Sequence, residues 1–140
     1  MEKEFAADPP LGFQQSHTRG PYSSRNGPYF HKVEGERFWH GLRVQYRHCN
    51  VHGSLHGGMM SSFADGLLAT SVSRGTGMRG VTVRMVCDLI GSVDAGAWLE
   101  GTAWVTGQDE HTAFAEAEAF ADGALVFTAS GVFRIFRRGK

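Results

Sequence analysis

A short polar stretch ahead of an apolar segment contains the side chains best suited to chemistry. Asn50 provides a carboxamide, His56 provides an imidazole, and the pair Gly57–Gly58 leads directly into the apolar segment. A single carboxylate, Asp65, follows seven residues after that pair. If the segment is a helix, the N–H groups at its start have no acceptor within the helix, and the helix dipole makes them attractive to negative charge. Such a set of groups could polarise a carbonyl and attack it with water.

The apolar segment 59–72 predicts one helix with two unlike faces. Apolar side chains recur at helical spacing on one face, which carries Met60, Phe63, Ala64 and Leu67. Asp65 falls on the other face, among small and polar residues that include Ser61. That second face would allow a ligand or another subunit to approach closely. The glycine-rich segment 75–80 predicts the end of the helix.

The remaining pattern has a period of two and predicts antiparallel strands. The predicted strands cover residues 37–45, 81–89, 97–105, 113–119 and 125–135. In the strand that follows the helix, the odd-numbered positions are apolar and are expected to share one face. Glycine and alanine dominate one face of the next two strands, so the helix can lie close to the sheet. One strand, one helix and four antiparallel strands predict an α+β fold.

Aromatic side chains mark the opposite face of the predicted sheet. They are Trp98, Trp104, Phe114 and Phe120. A monomer rarely leaves so many aromatic rings in water, so something is expected to cover them. Two coverings remain open, namely the N-terminal segment of the same chain and another subunit.

The first 36 residues differ from the rest in composition. They are rich in Gly, Pro, Ser and charge, with little apolar periodicity. We therefore predict that residues 1–36 form an arm, loosely ordered or docked on the body, and that residues 37–140 form one domain.

Composition excludes several classes of partner. Fourteen basic and fourteen acidic residues give a formal net charge of zero, and no basic stripe suggests nucleic acid. No apolar run is long enough to span a membrane, and the N-terminus has no apolar leader. Two cysteines in 140 residues provide no disulfide framework and fit a reducing compartment. A cytoplasmic protein is expected.

The spacing Asn50-x-x-Gly53-x-x-His56-Gly57-Gly58, with Asp65 beyond it, resembles the signature of the hotdog-fold acyl-CoA thioesterases of the phenylacetate-pathway (PaaI) type. Residues 80–83, followed by Gly96 and Leu99, resemble the second strand, turn and third strand of that family, and residues 131–135 resemble its last strand. The likeness covers roughly residues 37–136. It implies a hotdog fold, in which an antiparallel sheet wraps around one long central helix.

The resemblance also implies an activity, which is hydrolysis of an acyl- or aryl-acyl-CoA to the free acid and CoA. Asp65 would be the nucleophile or the general base, and the backbone N–H of Gly57 would polarise the thioester carbonyl. Asn50 and His56 would orient the thioester or the attacking water. The further substrate-binding residues would be Gly58, Ser61 and Thr82. CoA would enter only as part of the substrate, with no other cofactor and no metal.

The resemblance further implies an assembly of several chains. Asp65 of one protomer would act on a thioester that Gly57 of the other protomer holds, so the active site would require a homodimer. A homotetramer is expected from family habit and from the aromatic face of the sheet.

Other hypotheses use the same residues. His48, His52 and His56 are spaced four apart and would share a face of a helix as metal ligands, but the glycines between and after them disfavour a continuous helix. Cys49 could be a nucleophile, although no paired base surrounds it, and Cys87 is expected in the core. A hotdog hydratase or dehydratase and a non-catalytic acyl-CoA sensor remain as alternative functions, and turnover of a thioester would separate them from a thioesterase.

Overall fold

A seven-stranded antiparallel sheet packs one face against a 20-residue helix in the computed structural model, which describes residues 4–137. Before the long helix come β1 (Gln14–Gln15), α1 (Pro21–Asn26), β2 (Phe30–Glu34) and β3 (Arg37–Arg43). The long helix is α2 (Gly57–Thr76), and after it come β4 (Arg79–Leu89), β5 (Trp98–Gln108), β6 (Thr112–Ala121) and β7 (Ala124–Phe136). The strand order is β1-β2-β3-β5-β6-β7-β4, so β4 lies at an edge of the sheet beside β7. The predicted α+β class is confirmed.

The helix α2 begins and ends where the sequence provides caps. His56 precedes it in extended backbone, and the His56 ring accepts a hydrogen bond from the N–H of Gly58. At the other end Gly77 adopts a left-handed φ of 72° and closes the last turn. The helix is therefore longer at both ends than the apolar segment that predicted it. Its buried face carries Met59, Met60, Phe63, Ala64, Leu67, Leu68, Ser71 and Val72.

Small side chains on the inner face of the sheet let α2 lie close to it, as the sequence predicts. The inward alanines of β6 are all buried, and they are Ala113, Ala115, Ala117 and Ala119. Gly101 of β5 lies directly under the helix. A Cβ at Gly101 would stand 2.6 Å from Cδ1 of Leu67 and 3.0 Å from the backbone oxygen of Glu118. The helix and the sheet therefore have no room for a side chain at this position.

One detail of the predicted strand after the helix is wrong. The ladder pairs Thr82 with Phe133 and Arg84 with Val132, so Val83 is an extra residue in a β-bulge. Directly paired residues share a face, and Phe133 is fully buried, so Thr82 faces the helix although its number is even. Beyond the bulge the odd positions from 85 to 89 face the helix, as predicted. The bulge thus moves a hydroxyl side chain onto the inner face.

The aromatic face of the sheet is covered in part by the N-terminal residues of the same chain. Trp98 is buried because the rings of Phe13 and Phe30 lie 5.2 Å and 5.7 Å from it. Trp104 and Phe114 remain 38% and 43% exposed. The arm therefore covers one half of this face, and the residues that the structure describes leave the other half open.

The segment before residue 37 contributes a strand that the sequence did not indicate. β2 pairs with β3 along its whole length, from Phe30 against Gly41 to Glu34 against Arg37. Most of its side chains are exposed, so no alternation of apolar and polar residues marks the strand. The division of the chain at residue 36 stays a prediction. No helix within residues 4–137 is long and apolar enough to cross a membrane.

The close approach at Gly101 leads to a stability prediction. Gly101→Ala should lower the free energy of unfolding by about 1–3 kcal/mol, because overpacking forces the helix and the sheet apart. Urea unfolding followed by circular dichroism measures this change. Gly107→Ala on the same strand is the control, because a Cβ there meets no atom within 4 Å. Equal stability of the two variants would contradict the packing argument.

Candidate active site

Three of the predicted site residues lie along one face of α2. Gly57, Ser61 and Asp65 are four residues apart, so the helix stacks them in one row. This row faces the inner side of β4. The contacts join Gly57 to Leu89, Ser61 to Cys87 and Asp65 to Thr82. We call the line along which α2 meets the edge strand the groove. Residues of the predicted site or their neighbours lie on both sides of it.

The carboxylate of Asp65 is held by one strand residue. Oγ1 of Thr82 donates a hydrogen bond of 2.7 Å to Oδ1 of Asp65. The β-bulge at Val83 makes this contact possible, because it turns Thr82 towards the helix. Within residues 4–137 the other oxygen, Oδ2, has no hydrogen-bond partner, and Asp65 is half-buried. One oxygen is thus fixed and the other is available to a ligand or a water molecule.

Cys87 belongs to the same groove, although the sequence suggested only a core position. Burial raises the pKa of the Cys87 thiol, and a hydrogen bond from Ser61 opposes that shift without cancelling it. Since the thiolate is the reactive form of cysteine, Cys87 is a poor nucleophile at neutral pH. Ser61, between Gly57 and Asp65 on the row, and Cys87, opposite it on β4, form the middle of the groove.

The N-terminus of α2 holds a second group of predicted residues. Nδ1 of His56 accepts a hydrogen bond of 2.8 Å from the N–H of Gly58, so the neutral ring carries its proton on Nε2. The His56 ring is exposed and can donate that proton in a hydrogen bond to a ligand. Gly57 is the first helical residue, and the helix itself offers no acceptor for its N–H. Gly57 itself lies beside Leu89 at the end of the groove, since a Cβ added to it would stand 3.3 Å from Cδ1 of Leu89.

Asn50 shapes the loop that precedes the helix. Its Oδ1 accepts hydrogen bonds from the N–H groups of His52 and Ser54, at 2.9 Å and 3.2 Å. Gly53 within this loop has a left-handed φ of 79°, which favours glycine. Because the carboxamide oxygen is used within the loop, the NH₂ group of Asn50 is the part that can donate to a ligand.

The two groups of predicted residues are separated within one chain. Asp65 is eight positions after Gly57, which corresponds to about 12 Å along the helix axis. The fold brings Asp65 and Thr82 together at one end of the row, with Ser61 at its middle. It brings Asn50, His56 and the glycine pair to the other end. A thioester bound at one end of a single chain is therefore out of reach of the groups at the other end.

The histidine and cysteine next to the motif have structural partners. Nδ1 of His48 accepts from the N–H of Gln45, and Nε2 lies 2.7 Å from the backbone oxygen of Asn26. Burial lowers the pKa of His48, so the ring is neutral at physiological pH. The thiol of Cys49 donates to the oxygen of Gln45. Among residues 4–137 no three His, Cys, Asp or Glu side chains come together as a metal site requires.

Comparison with known proteins places this arrangement in a family. The sequence profile of the thioesterase superfamily matches residues 52–127, which include the helix and the groove. A candidate esterase of Pseudomonas aeruginosa is 36% identical over 129 residues, which cover 90% of this chain and 96% of that protein.

Solved structures share the fold. The Escherichia coli PaaI protein, from the phenylacetic acid degradation operon, superposes with a TM-score of 0.74 at 21% identity, over 82% of this chain and 84% of that one. A Bacillus halodurans protein solved with CoA gives a TM-score of 0.65 at 20% identity, over 69% of this chain and 70% of that one. The sheet around one long helix is the predicted hotdog fold. The chain belongs to the thioesterase superfamily and is a thioester hydrolase.

Proposed function

We propose that this protein hydrolyses an acyl- or aryl-acyl-CoA to the free acid and CoA, and that Asp65 is its catalytic carboxylate. The hydrogen bond from Thr82 to Asp65 is the observation that carries this proposal, because it holds one oxygen and leaves the other open at the groove. The CoA bound to the Bacillus halodurans protein of the same fold supports a CoA thioester as substrate. Two cysteines in 140 residues favour a reducing compartment, and hence the cytoplasm.

The chemistry follows from what a thioester carbonyl becomes on attack. Its oxygen gains negative charge, and the N–H of Gly57 at the positive end of α2 would stabilise that charge. One such donor contributes about 3–4 kcal/mol by precedent. The NH₂ of Asn50 and Nε2–H of His56 would orient the thioester or the water. Gly58, beside Gly57 in the first turn, would leave space for the bound group.

Asp65 can act in two ways that lead to the same products. As a general base, it takes a proton from water while the water oxygen attacks the carbonyl carbon. The C–S bond then breaks, and the leaving CoA sulfur takes that proton from Asp65, which restores the carboxylate. As a nucleophile, it forms an acyl-aspartyl anhydride and releases the CoA thiolate, after which water cleaves the anhydride to the acid and restores the carboxylate. In both cases Thr82 positions Oδ1, and Ser61 lines the space beside the reacting carbon.

The separation of about 12 Å between Gly57 and Asp65 leads us to place the active site between two protomers. Strand β4 has no neighbour on its outer side within the described residues, and Val81, Val83 and Ile90 are exposed there. An open apolar edge favours pairing with a second copy. A two-fold axis near Ser61 would reverse the row, so that Gly57 of each chain stands opposite Asp65 of the partner. The exposed aromatic half of the outer sheet face would then be the surface through which two dimers pair in the homotetramer.

The first prediction concerns Asp65. Asp65→Asn should reduce turnover by about two orders of magnitude or more while acyl-CoA still binds, because the amide neither takes a proton nor attacks. Release of CoA thiol from a panel of aryl and aliphatic acyl-CoAs measures this change. Asp88→Asn, an exposed carboxylate of β4 that pairs with Thr128 on the other face of the sheet, is the matched control. A native protein that binds acyl-CoA and hydrolyses none of the panel would point to an acyl-CoA sensor.

A second prediction separates the effect of the Thr82 hydroxyl on turnover from the effect of the volume of its side chain. Thr82→Val keeps the volume and removes the donor, so kcat should fall roughly 10- to 100-fold, as expected for a hydrogen bond to a charged group. Steady-state kinetics measures the fall, and Thr106→Val on the exposed part of β5 should have no effect. Unchanged kcat in Thr82→Val would show that the hydrogen bond plays no part in turnover.

A third prediction tests both the Gly57 N–H and the shared site. Gly57→Pro removes the N–H at a helix position that accepts proline, and His56 before it is already extended, at φ −64° and ψ 136°. Turnover should fall about 100-fold, as for loss of one oxyanion donor. Gly57→Ala keeps the N–H with the same added Cβ, which stands 3.3 Å from Leu89, and should remain active.

Mixing Gly57→Pro with Asp65→Asn chains then decides whether two protomers share a site. Each variant alone should be almost inactive. After subunit exchange, half of the dimers contain one of each chain and have one intact site, so activity should recover to about one quarter of the native value. A mixture that stays inactive, although exchange is shown by mass spectrometry, would place each site within one chain.

A further inference from the structure

A cavity beneath the N-terminal arm is lined by cationic and neutral polar side chains. Its volume is about 300 Å³, and it lies between the arm, the start of β2 and the turn after β3. The residues that line it include Ser16, His17, Arg19, Ser23 and Arg47, and none of the lining residues is Asp or Glu. A cavity with such a lining favours an anionic ligand.

Of its two arginines, Arg47 already has partners. Nε of Arg47 lies 2.6 Å from Oε1 of Glu4, and its other nitrogens donate to the backbone oxygens of Arg25 and Gly27. These contacts tie the arm to the body and balance the charge of Arg47. The excess positive charge of the cavity is therefore at Arg19.

Arg19 is held in place without any acceptor for its N–H groups. Its guanidinium lies 4.3 Å from the centre of the Tyr29 ring, which in turn stacks on Phe63 of the core. Nε is fully buried and has no hydrogen-bond partner within residues 4–137, where the side chain also forms no ion pair. Burial lowers the pKa of Arg19, although a guanidinium keeps its charge in a protein. Arg19 as a whole is partly buried, so its charge is only partly solvated and has no acceptor among residues 4–137. An anion bound here would supply that acceptor and would be favoured.

The position of Arg19 connects the cavity to the groove. Its Nη1 lies 3.7 Å from where a Cβ of Gly66 would stand, and Gly66 is the residue after Asp65. A small polar row, Gly58, Ser62 and Gly66, runs along α2 between the first turn and the guanidinium. The Tyr22 hydroxyl covers the middle of this row, because it hydrogen-bonds to Oγ of Ser62 at 2.9 Å. A flexible ligand that reacts near Asp65 would therefore cross the helix at Gly66 to reach Arg19.

We propose that this cavity binds a phosphate group of CoA, with Arg19 as the residue that recognises it. This inference rests on the proposed function for the identity of the ligand. CoA carries a diphosphate and a 3′-phosphate at the end distant from its thiol, and a guanidinium binds phosphate oxygens through paired N–H donors. The arm thus provides the contacts to the nucleotide half of the substrate, while the groove holds the thioester.

Calorimetric binding to the Asp65→Asn protein tests this proposal without turnover. Arg19→Gln should weaken CoA binding roughly tenfold or more, as expected for loss of a charge-assisted contact, and leave pantetheine binding unchanged. Arg25→Gln, an exposed arginine of α1 outside the cavity lining, is the matched control and should bind CoA normally. Equal CoA affinity in the Arg19→Gln and Arg25→Gln proteins would overturn the proposal.

Dephospho-CoA identifies which phosphate is bound. If the 3′-phosphate occupies the cavity, dephospho-CoA binds more weakly than CoA and is insensitive to Arg19→Gln. If the diphosphate occupies it, dephospho-CoA remains sensitive. Binding of inorganic phosphate that depends on Arg19, with CoA affinity independent of Arg19, would assign the cavity to free phosphate and overturn the link to CoA.

Two further outcomes keep this test separate from the proposed function. Arg19-dependent binding of CoA by a native protein that hydrolyses no thioester would refute the proposed activity and leave the phosphate site standing. If Arg19→Gln does not fold, the melting temperature of the native protein decides. Adenosine 3′,5′-bisphosphate should raise it more than adenosine does at equal ionic strength, because only a ligand of the folded state stabilises it. Equal shifts would overturn the proposal.

Discussion

The close contact between α2 and the sheet determines the position of every other part of the site. The helix can approach because Gly101 and the alanines of β6 leave no side chain in its way. Because the helix lies so close to the sheet, the row Gly57, Ser61 and Asp65 contacts the inner side chains of β4, and the Thr82 hydroxyl reaches Asp65. A larger residue at Gly101 would move this row away from β4. The packing beneath the helix and the hydrogen bond from Thr82 to Asp65 therefore depend on each other.

Periodicity and spacing predicted much of this arrangement, because the relevant signals are local. Helical and two-residue periods located α2 and the strands from β4 to β7, since the apolar side chains of each element recur with the period of that element. The glycine pair was recognised from its place at the start of a predicted helix. His56 and Asp65 were recognised because their spacing from that pair resembles a family signature. Local patterns thus identify the buried face and the candidate site residues of a single helix or strand.

Three features of the structure could not be predicted from the sequence, and each has a physical reason. β2 exposes most of its side chains, so it has no alternation to detect. The bulge at Val83 depends on the register with β7, a strand distant in sequence, and it alone decides that Thr82 faces the helix. The cavity at Arg19 forms only when the arm folds over the body, and the composition of residues 1–36 indicated only a flexible or docked segment. All three are set by contacts between distant parts of the chain.

The length of α2 has a consequence for how two shared sites would behave. In the proposed dimer each α2 contributes its first residue, Gly57, to one active site and Asp65 to the other. One rigid helix therefore connects the two sites over about 12 Å. A thioester that shifts the first turn along the axis would displace the carboxylate of the neighbouring site by a similar amount. Occupancy of one site would then alter the second, which gives the pair a mechanical basis for unequal, alternating turnover.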